Sequence, residues 1–260
     1  MRVVSWNVNG LRALAKKGVF LEFLESSNAD IVTLQETRTL ETQLPGHIRA
    51  PTGWHSYFSS AERLGYSGVA IYSRRPADRV TTRLPEERFN VEGRYLVARF
   101  GRLSIASIYF PNGAGKDRDN SRVPFKLDFY TSAKQELDRM RRYGPVFVTG
   151  DFNTAHTEID LARPKQNQGT TGFLPIEREA LDDWMSSKWV DVFRKQHPNE
   201  PGHYTWWKQW GGSRENNVGW RIDYVMASPS AARLTRDAFI WPDALGSDHC
   251  PIGVDTNIVL

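Results

Sequence analysis

The stretch VFVTGDFN (146–153) decides how this chain is read. Four β-favouring residues run straight into a glycine, a carboxylate and an amide, so an apolar strand ends on groups able to bind an ion. Before it, residues 121–143 carry Val123, Leu127, Tyr130, Leu137 and Met140 between charges, the spacing of a long surface helix, which Gly144-Pro145 stops. In that reading Lys126, Lys134, Arg139, Arg141 and Arg142 form its solvated face. Working outward, Arg2–Asn7, Ile31–Gln35, 68–73, Tyr95–Phe100, 103–110, 221–227, 239–241 and Ile252–Thr256 read as strands. Gly101-Arg102 joins two of them as a hairpin. Helical spacing covers 11–27 and 175–187, and the polar segment 163–171 reads as a loop. Hairpins mixed with helices predict a layered α/β fold rather than a purely parallel sheet. No repeat or linker divides the chain, so one domain over 1–260 is expected.

The polar residues cluster at strand ends. Asn7 and Asn9 follow the first strand, Gln35 and Glu36 the second, and Asp151 and Asn153 the stretch above, while Asp248 and His249 precede the last strand. Asn7 with Asn9, and Asp151 with Asn153, are two residues apart; on extended backbone each pair points to one face. Asn9, Glu36, Asp151, Asn153 and Asp248 form an oxygen-rich set suited to a hard cation such as Mg²⁺ or Mn²⁺. His249 adds a group able to carry charge near neutral pH. Singly, each has a plain structural use: Glu36 as a first-turn acid, Asp151 as a turn residue, Asp248 as a cap before Pro251. Their joint position gives them weight.

Composition narrows the options. The chain has 260 residues, 34 Lys plus Arg against 30 Asp plus Glu, and a net charge of +4. One cysteine, Cys250, excludes an internal disulfide framework and any Cys-rich zinc site. With no apolar run of about 18 residues and no signal-peptide pattern, a cytoplasmic, nucleoid-associated protein without membrane contact is expected. Five of the nine tryptophans fall between Trp206 and Trp241.

These residues stand in motifs: SWNVNGLRA (5–13), LQET (34–37), GYSGVA (65–70), EGRY (92–95), YFPNG (109–113), GDFNTAH (150–156), EIDLARPK (158–165), GFLP (172–175), YTWW (204–207), VGWRIDY (218–224) and GSDHCP (246–251). Their order and extent resemble the exonuclease III family of abasic-site (AP) endonucleases, within the endonuclease/exonuclease/phosphatase superfamily. The resemblance implies a four-layer α/β sandwich of two packed mixed β-sheets flanked by helices. It also implies metal-dependent hydrolysis of the phosphodiester 5′ to an abasic site in duplex DNA, leaving a 3′-hydroxyl, with related 3′-end trimming. A monomer without organic cofactor is expected.

Carried over by position, Glu36 matches the principal metal ligand. Asn9 sits where some members have Asp. Asp151 matches the residue that orients or deprotonates the attacking water, and Asn153 is its neighbour. Asp223 and His249 match a hydrogen-bonded pair on the phosphate; Tyr109 and Asp248 complete the catalytic set. Asn153, Asp248 and His249 are also candidate metal ligands. Asn7, Asn112 and Asn167 match phosphate-proximal positions, and Trp206, Trp220 and Ile222 an abasic-sugar pocket. Arg12, Tyr66 and Arg94 are the expected DNA contacts. Tyr109 is left with two roles, phosphate donor or phenolate, and one metal or two remain alternatives. Segment 114–122 (AGKDRDNSR) lacks an obvious counterpart to an Arg that some members insert into DNA, and 168–171 replaces a stretch often carrying another Asn. Rival readings are a phosphoinositide phosphatase or sphingomyelinase of the same superfamily, and a non-catalytic damaged-DNA-binding protein.

Overall fold

The computed structural model describes residues 1–117 and 119–260; Arg118, in segment 114–122, lies outside the described residues. Strands β1 (Arg2–Asn7), β2 (Ile31–Gln35), β3 (His55–Ser59) and β4 (Val69–Ser73) come first, with helices α1 (Leu11–Lys16), α2 (Val19–Ser26) and α3 (Gly46–Arg49) among them. β5 (Arg79–Thr81), β6 (Tyr95–Phe100), β7 (Leu103–Tyr109), α4 (Val123–Met140), β8 (Val146–Asp151), α5 (Pro175–Ser186), β9 (Val190–Asp191) and α6 (Val192–Gln196) follow. Then come β10 (Trp206–Trp207), β11 (Gly219–Trp220), β12 (Asp223–Ala227), α7 (Pro229–Ala232), β13 (Thr235–Ile240) and β14 (Ile252–Thr256).

Two six-stranded sheets form, ordered β13-β14-β1-β2-β4-β3 and β5-β6-β7-β8-β12-β9, with β10-β11 as a separate ribbon. Each six-stranded sheet has one parallel pair at its centre, β1 with β2 and β7 with β8. Their other neighbours run antiparallel. Side-chain alternation explains the layering: Val3 faces the space between the sheets with Ile31, Ile105 and Phe147, while Val4 and Trp6 face α1 and α2 beside Leu14, Phe20 and Leu24. On the opposite side Val148 and Tyr224 meet Phe129, Tyr130 and Trp184 from α4 and α5. Helices thus cover both outer faces, giving four layers. Central strands buried on both sides read as nearly continuous apolar runs, which made them legible.

Three local departures have physical reasons. The helical stretch 11–27 is two helices, because Gly18 takes a left-handed φ of 77° between them. β3 and β5 (HSYFS and RVT) were not expected: they are half-solvated and carry little apolar signal. Lys126 is not on a solvated face. It is fully buried and donates to Glu177 Oε1 at 2.6 Å and to the Asn153 carbonyl at 2.7 Å. Lys134 reaches Asp138 and Asp183 at 3.5 and 3.2 Å. Among the described residues no helix is long and apolar enough to cross a membrane.

Candidate active site

The site forms where the two sheets meet, at the ends of their central strands. β1 ends at Asn7 and β8 at Asp151, and each chain then turns in the same way. The Asn9 N–H donates to Asn7 Oδ1 at 3.1 Å, and the Asn153 N–H donates to Asp151 Oδ1 at 2.8 Å. Asn9, Asn153 and Glu36 all have left-handed φ, 47°, 51° and 52°. The expectation that Asn9 and Asn153 share a strand face with their partners is therefore corrected: both lie past the strand, in side-chain-closed turns that Asn and Asp favour. Gly150 lets Asp151 reach its place, since a Cβ there would lie 2.0 Å from the Ile108 carbonyl oxygen on β7.

Asn7 joins the two sheets. Its Nδ2 donates to Glu36 Oε1 and to Asp151 Oδ2, each at 2.9 Å. Both amide hydrogens are thus committed to carboxylates, so Asn7 spaces the two acids rather than facing a phosphate as expected. Glu36 is further held by Arg38, whose Nε donates to Oε2 at 2.9 Å. Sequence reasoning missed Arg38; an arginine two residues past the carboxylate in LQETR was its signal.

Asp223 lies opposite Asp151 in the β8–β12 register. Its Oδ2 accepts from Thr205 Oγ1 at 2.6 Å and lies 2.9 Å from His249 Nδ1. His249 Nε2 faces Asp151 Oδ2 at 3.8 Å. Burial opposes charge on His249, yet Asp223, then Asp151 and Asp248, raise its pKa well above the usual histidine value. That direction favours the imidazolium, a charged donor, over the neutral ring that a metal ligand must be. Burial first, then the Asp223 and Glu36 charges, raise the Asp151 carboxyl against the opposing pull of His249. On Asp248, burial is outweighed by His249, Asn9 and Trp206, and its carboxyl lies below the usual range. Asp248 accepts from Asn9 Nδ2 at 2.7 Å and Trp206 Nε1 at 3.1 Å.

Tyr109 closes β7 with Arg94 stacked 4.5 Å from its ring centre. Burial, then Glu36, raise its phenol well above the ordinary value, while Arg94 acts the other way. That direction favours the protonated hydroxyl, a donor, over the phenolate. Arg94 is not at the surface as expected. It is 3% exposed, and its guanidinium donates to Glu92 at 2.5 Å, the Tyr109 carbonyl at 3.1 Å and Tyr66 Oη at 2.9 Å. Tyr66 Oη also accepts from Arg122 at 3.0 Å.

A cleft of about 580 Å³ opens over these groups. Asn9, Glu36, Tyr109, Asn112, Asp151, Asn153, Asn167, Asp248 and His249 line it, with Trp206, Trp220 and Ile222 as an apolar wall. The Trp206 and Trp220 rings meet nearly at right angles, 6.4 Å apart. Asn112 Nδ2 donates to Asn153 Oδ1 at 3.1 Å, and Asn167 Nδ2 donates to the Arg163 carbonyl at 2.7 Å. Arg12 is exposed on α1, and it does not line the cleft. The buried Lys126–Glu177 pair, also missed from sequence, supports the floor: Glu177 accepts from the Gly172 N–H at 2.6 Å and Thr171 Oγ1 at 2.7 Å. Glu36, Asp151 and His249 each offer an atom within 4.8 Å of the others. The oxygen donors around Glu36 and Asp151 fit a hard divalent cation.

Comparison with known proteins agrees with this geometry. Residues 4–249 match the model of the Endonuclease/Exonuclease/phosphatase family. The chain is 37% identical over 258 residues to an exodeoxyribonuclease of Bacillus subtilis (strain 168), covering 99% of this chain and 100% of that one. It is 37% identical over 255 residues to the DNA repair nuclease APEX1 of Danio rerio, covering 97% and 81%. An AP endonuclease structure from Archaeoglobus fulgidus superposes with a TM-score of 0.89 at 27% identity, covering 99% and 100%. The 3′ phosphatase NExo from Neisseria bound to product DNA hairpin gives 0.90 at 26%, with the same coverage. The chain belongs to the endonuclease/exonuclease/phosphatase family, among its exonuclease III-type AP endonucleases.

Proposed function

We propose that this protein is a DNA repair nuclease that hydrolyses the phosphodiester 5′ to an abasic nucleotide in duplex DNA, leaving a 3′-hydroxyl, and that it also trims blocked 3′ ends. It acts as a monomer beside the nucleoid, without an organic cofactor. One observation carries the reading: Asp151, Glu36 and the Asp223–His249 pair converge at the head of a cleft whose wall is Trp206, Trp220 and Ile222. An extruded sugar without its base fits such a wall, and extrusion costs least where no base must be unstacked.

Asp151 takes a proton from the attacking water; a raised carboxyl pKa suits a base working near neutrality. The imidazolium of His249, held by Asp223, donates to a non-bridging phosphate oxygen, a charge-assisted bond stronger than a neutral one. The Tyr109 hydroxyl and the Asn112 amide, which also line the cleft, donate to the phosphate as well. Asn7 keeps Glu36 and Asp151 apart and aimed. Glu36, with Asn9, Asp151, Asn153 and Asp248 as further oxygen donors, would hold a divalent cation, Mg²⁺ or Mn²⁺, which would supply charge neutralisation for the phosphate and the departing 3′-oxygen. Arg12 and Tyr66 contact the DNA backbone beyond the cleft.

The test is a substrate panel of abasic duplex, intact duplex, 3′-recessed end, 3′-phosphate end, uracil-containing duplex and a phosphoinositide, each with Mg²⁺, Mn²⁺ or EDTA. Incision of the abasic duplex to a 3′-hydroxyl, abolished by EDTA, is expected. Phosphoinositide hydrolysis without DNA cleavage, or abasic-DNA binding with no cleavage under any metal, defeats the reading.

A further inference from the structure

Residues 197–203 (HPNEPGH) form the loop that leaves α6 and leads towards β10, outside the cleft just described. His197 Nδ1 lies 2.9 Å from Glu200 Oε2, and His203 Nε2 lies 3.0 Å from that same oxygen. The three atoms all sit within 4.8 Å of one another. Two imidazoles converging on one carboxylate oxygen need not stay together on a floppy surface loop, but this loop is braced. Arg194 Nη1 donates to the His197 and Glu200 carbonyls at 2.8 and 2.9 Å, and its Nη2 is anchored on Asp160 at 2.6 Å. Asn217 Nδ2 donates to the Gly202 carbonyl at 2.9 Å. Phe193 stacks on the His197 ring at 4.5 Å and meets His203 edge-on at 5.2 Å, so both rings have fixed orientations. Pro198 and Pro201 remove two further backbone freedoms.

We propose that His197, Glu200 and His203 bind a borderline divalent cation of the Zn²⁺ class, at a site separate from the catalytic centre. Two imidazole nitrogens and one carboxylate oxygen are the donors such ions take, whereas Mg²⁺ prefers oxygen alone. Bonds of about 2.0–2.1 Å around a tetrahedral ion hold ligand atoms roughly 3.3 Å apart, so the contacts to Glu200 open by only a few tenths of an ångström. The side chains are 31%, 54% and 38% exposed, which gives the ion a path in and leaves its fourth position to water. Once bound, the ion pins the loop two residues before Thr205, which holds Asp223.

Cobalt titration of the full chain tests this, because tetrahedral Co²⁺ absorbs visibly and Zn²⁺ displaces it with loss of colour. Wild type and Asp151→Asn are both expected to develop the colour, saturating at one equivalent, while His197→Gln and His203→Gln lose it with unchanged circular dichroism. No colour in wild type, colour surviving in both histidine variants, or colour lost in Asp151→Asn would overturn the proposal.

Discussion

The two large sheets have the same plan and opposite chemistry. Listed from matching edges, β13-β14-β1-β2-β4-β3 corresponds to β9-β12-β8-β7-β6-β5, with the same sense at every pairing. In each, the central parallel pair leads to the site, and the same side-chain-closed turn follows the central strand. In the first sheet the turn begins with an amide, Asn7; in the second it begins with a carboxylate, Asp151. The backbone device is shared, and one atom exchanged for another divides the labour. The amide donates and holds two acids in place, and the acid is the group to which the proposed mechanism gives the water's proton.

Exchanging that atom should therefore have the largest effect. Asp151→Asn makes the two turns chemically alike. The Asn oxygen can still accept the Asn153 N–H while its NH₂ meets the Asn7 donor, so the chain should stay folded with a lowered thermal midpoint while turnover on abasic duplex falls by about 10²–10⁴. Turnover within tenfold of wild type would show that the carboxylate is not the base. The reciprocal change, Asn7→Asp, removes two donors and packs a third acid between Glu36 and Asp151. Urea unfolding in EDTA should show a loss of about 2–3 kcal/mol. Excess Mg²⁺ should recover part of it; no recovery would mean that the cation does not sit among these acids.

A second contrast lies in ion pairs. The second sheet's edge depends on buried Asp160, which takes Arg221 Nε at 2.7 Å and Arg194 Nη2 at 2.6 Å, whereas Arg2–Asp255 in the first sheet is partly exposed. Burial would raise the Asp160 carboxyl, but Arg221 and then Arg194 hold it far below the usual range. A depressed carboxyl stabilises the fold above its unfolded pKa of about 3.9, and that stability is lost as pH falls from there towards the native value. Acid titration followed by hydrogen exchange should open the β9–β12 edge before the β1–β14 pair. Asp160→Asn should lower stability at neutral pH and flatten the acid limb; equal acid sensitivity of variant and wild type would remove Asp160 from the account. The smallest effect belongs to the seam. Thr149 donates to the Ala106 carbonyl, so the 2.7 Å contact between Thr33 and Thr149 is donated by Thr33. Thr33→Val should cost about 0.5–1.5 kcal/mol in urea unfolding.

Much of the sandwich was legible because its central strands are buried on both faces and end abruptly in polar residues. Asn7, Glu36, Asp151 and His249 stood out for that reason. What escaped depended on contacts across long chain separations. Asn7 meets Asp151 over 144 residues, and no local pattern shows that its amide is already committed. Arg94 and Lys126 read as surface cations because charge is ordinarily solvated; both are buried by partners, Glu92 and Glu177, which composition does not link to them. The turns at Asn9 and Asn153 escaped for the opposite reason. There a side chain bonds its own backbone two residues on and breaks the strand period that the pattern assumed.

The polar seam between the sheets has a consequence for how the enzyme fails. Gln35 Nε2 donates to Ser107 Oγ at 3.0 Å, and Ser107 Oγ donates back to the Leu34 carbonyl at 3.0 Å, one residue from Glu36 on one sheet and two from Tyr109 on the other. Apolar side chains tolerate sliding; these paired hydroxyls and amides do not, because each has few geometries that satisfy it. The seam thus acts as a ruler that keeps half a site on each sheet in register. A slip too small to expose the core would still part the halves, so under mild denaturant catalysis should fade before any spectroscopic sign of unfolding.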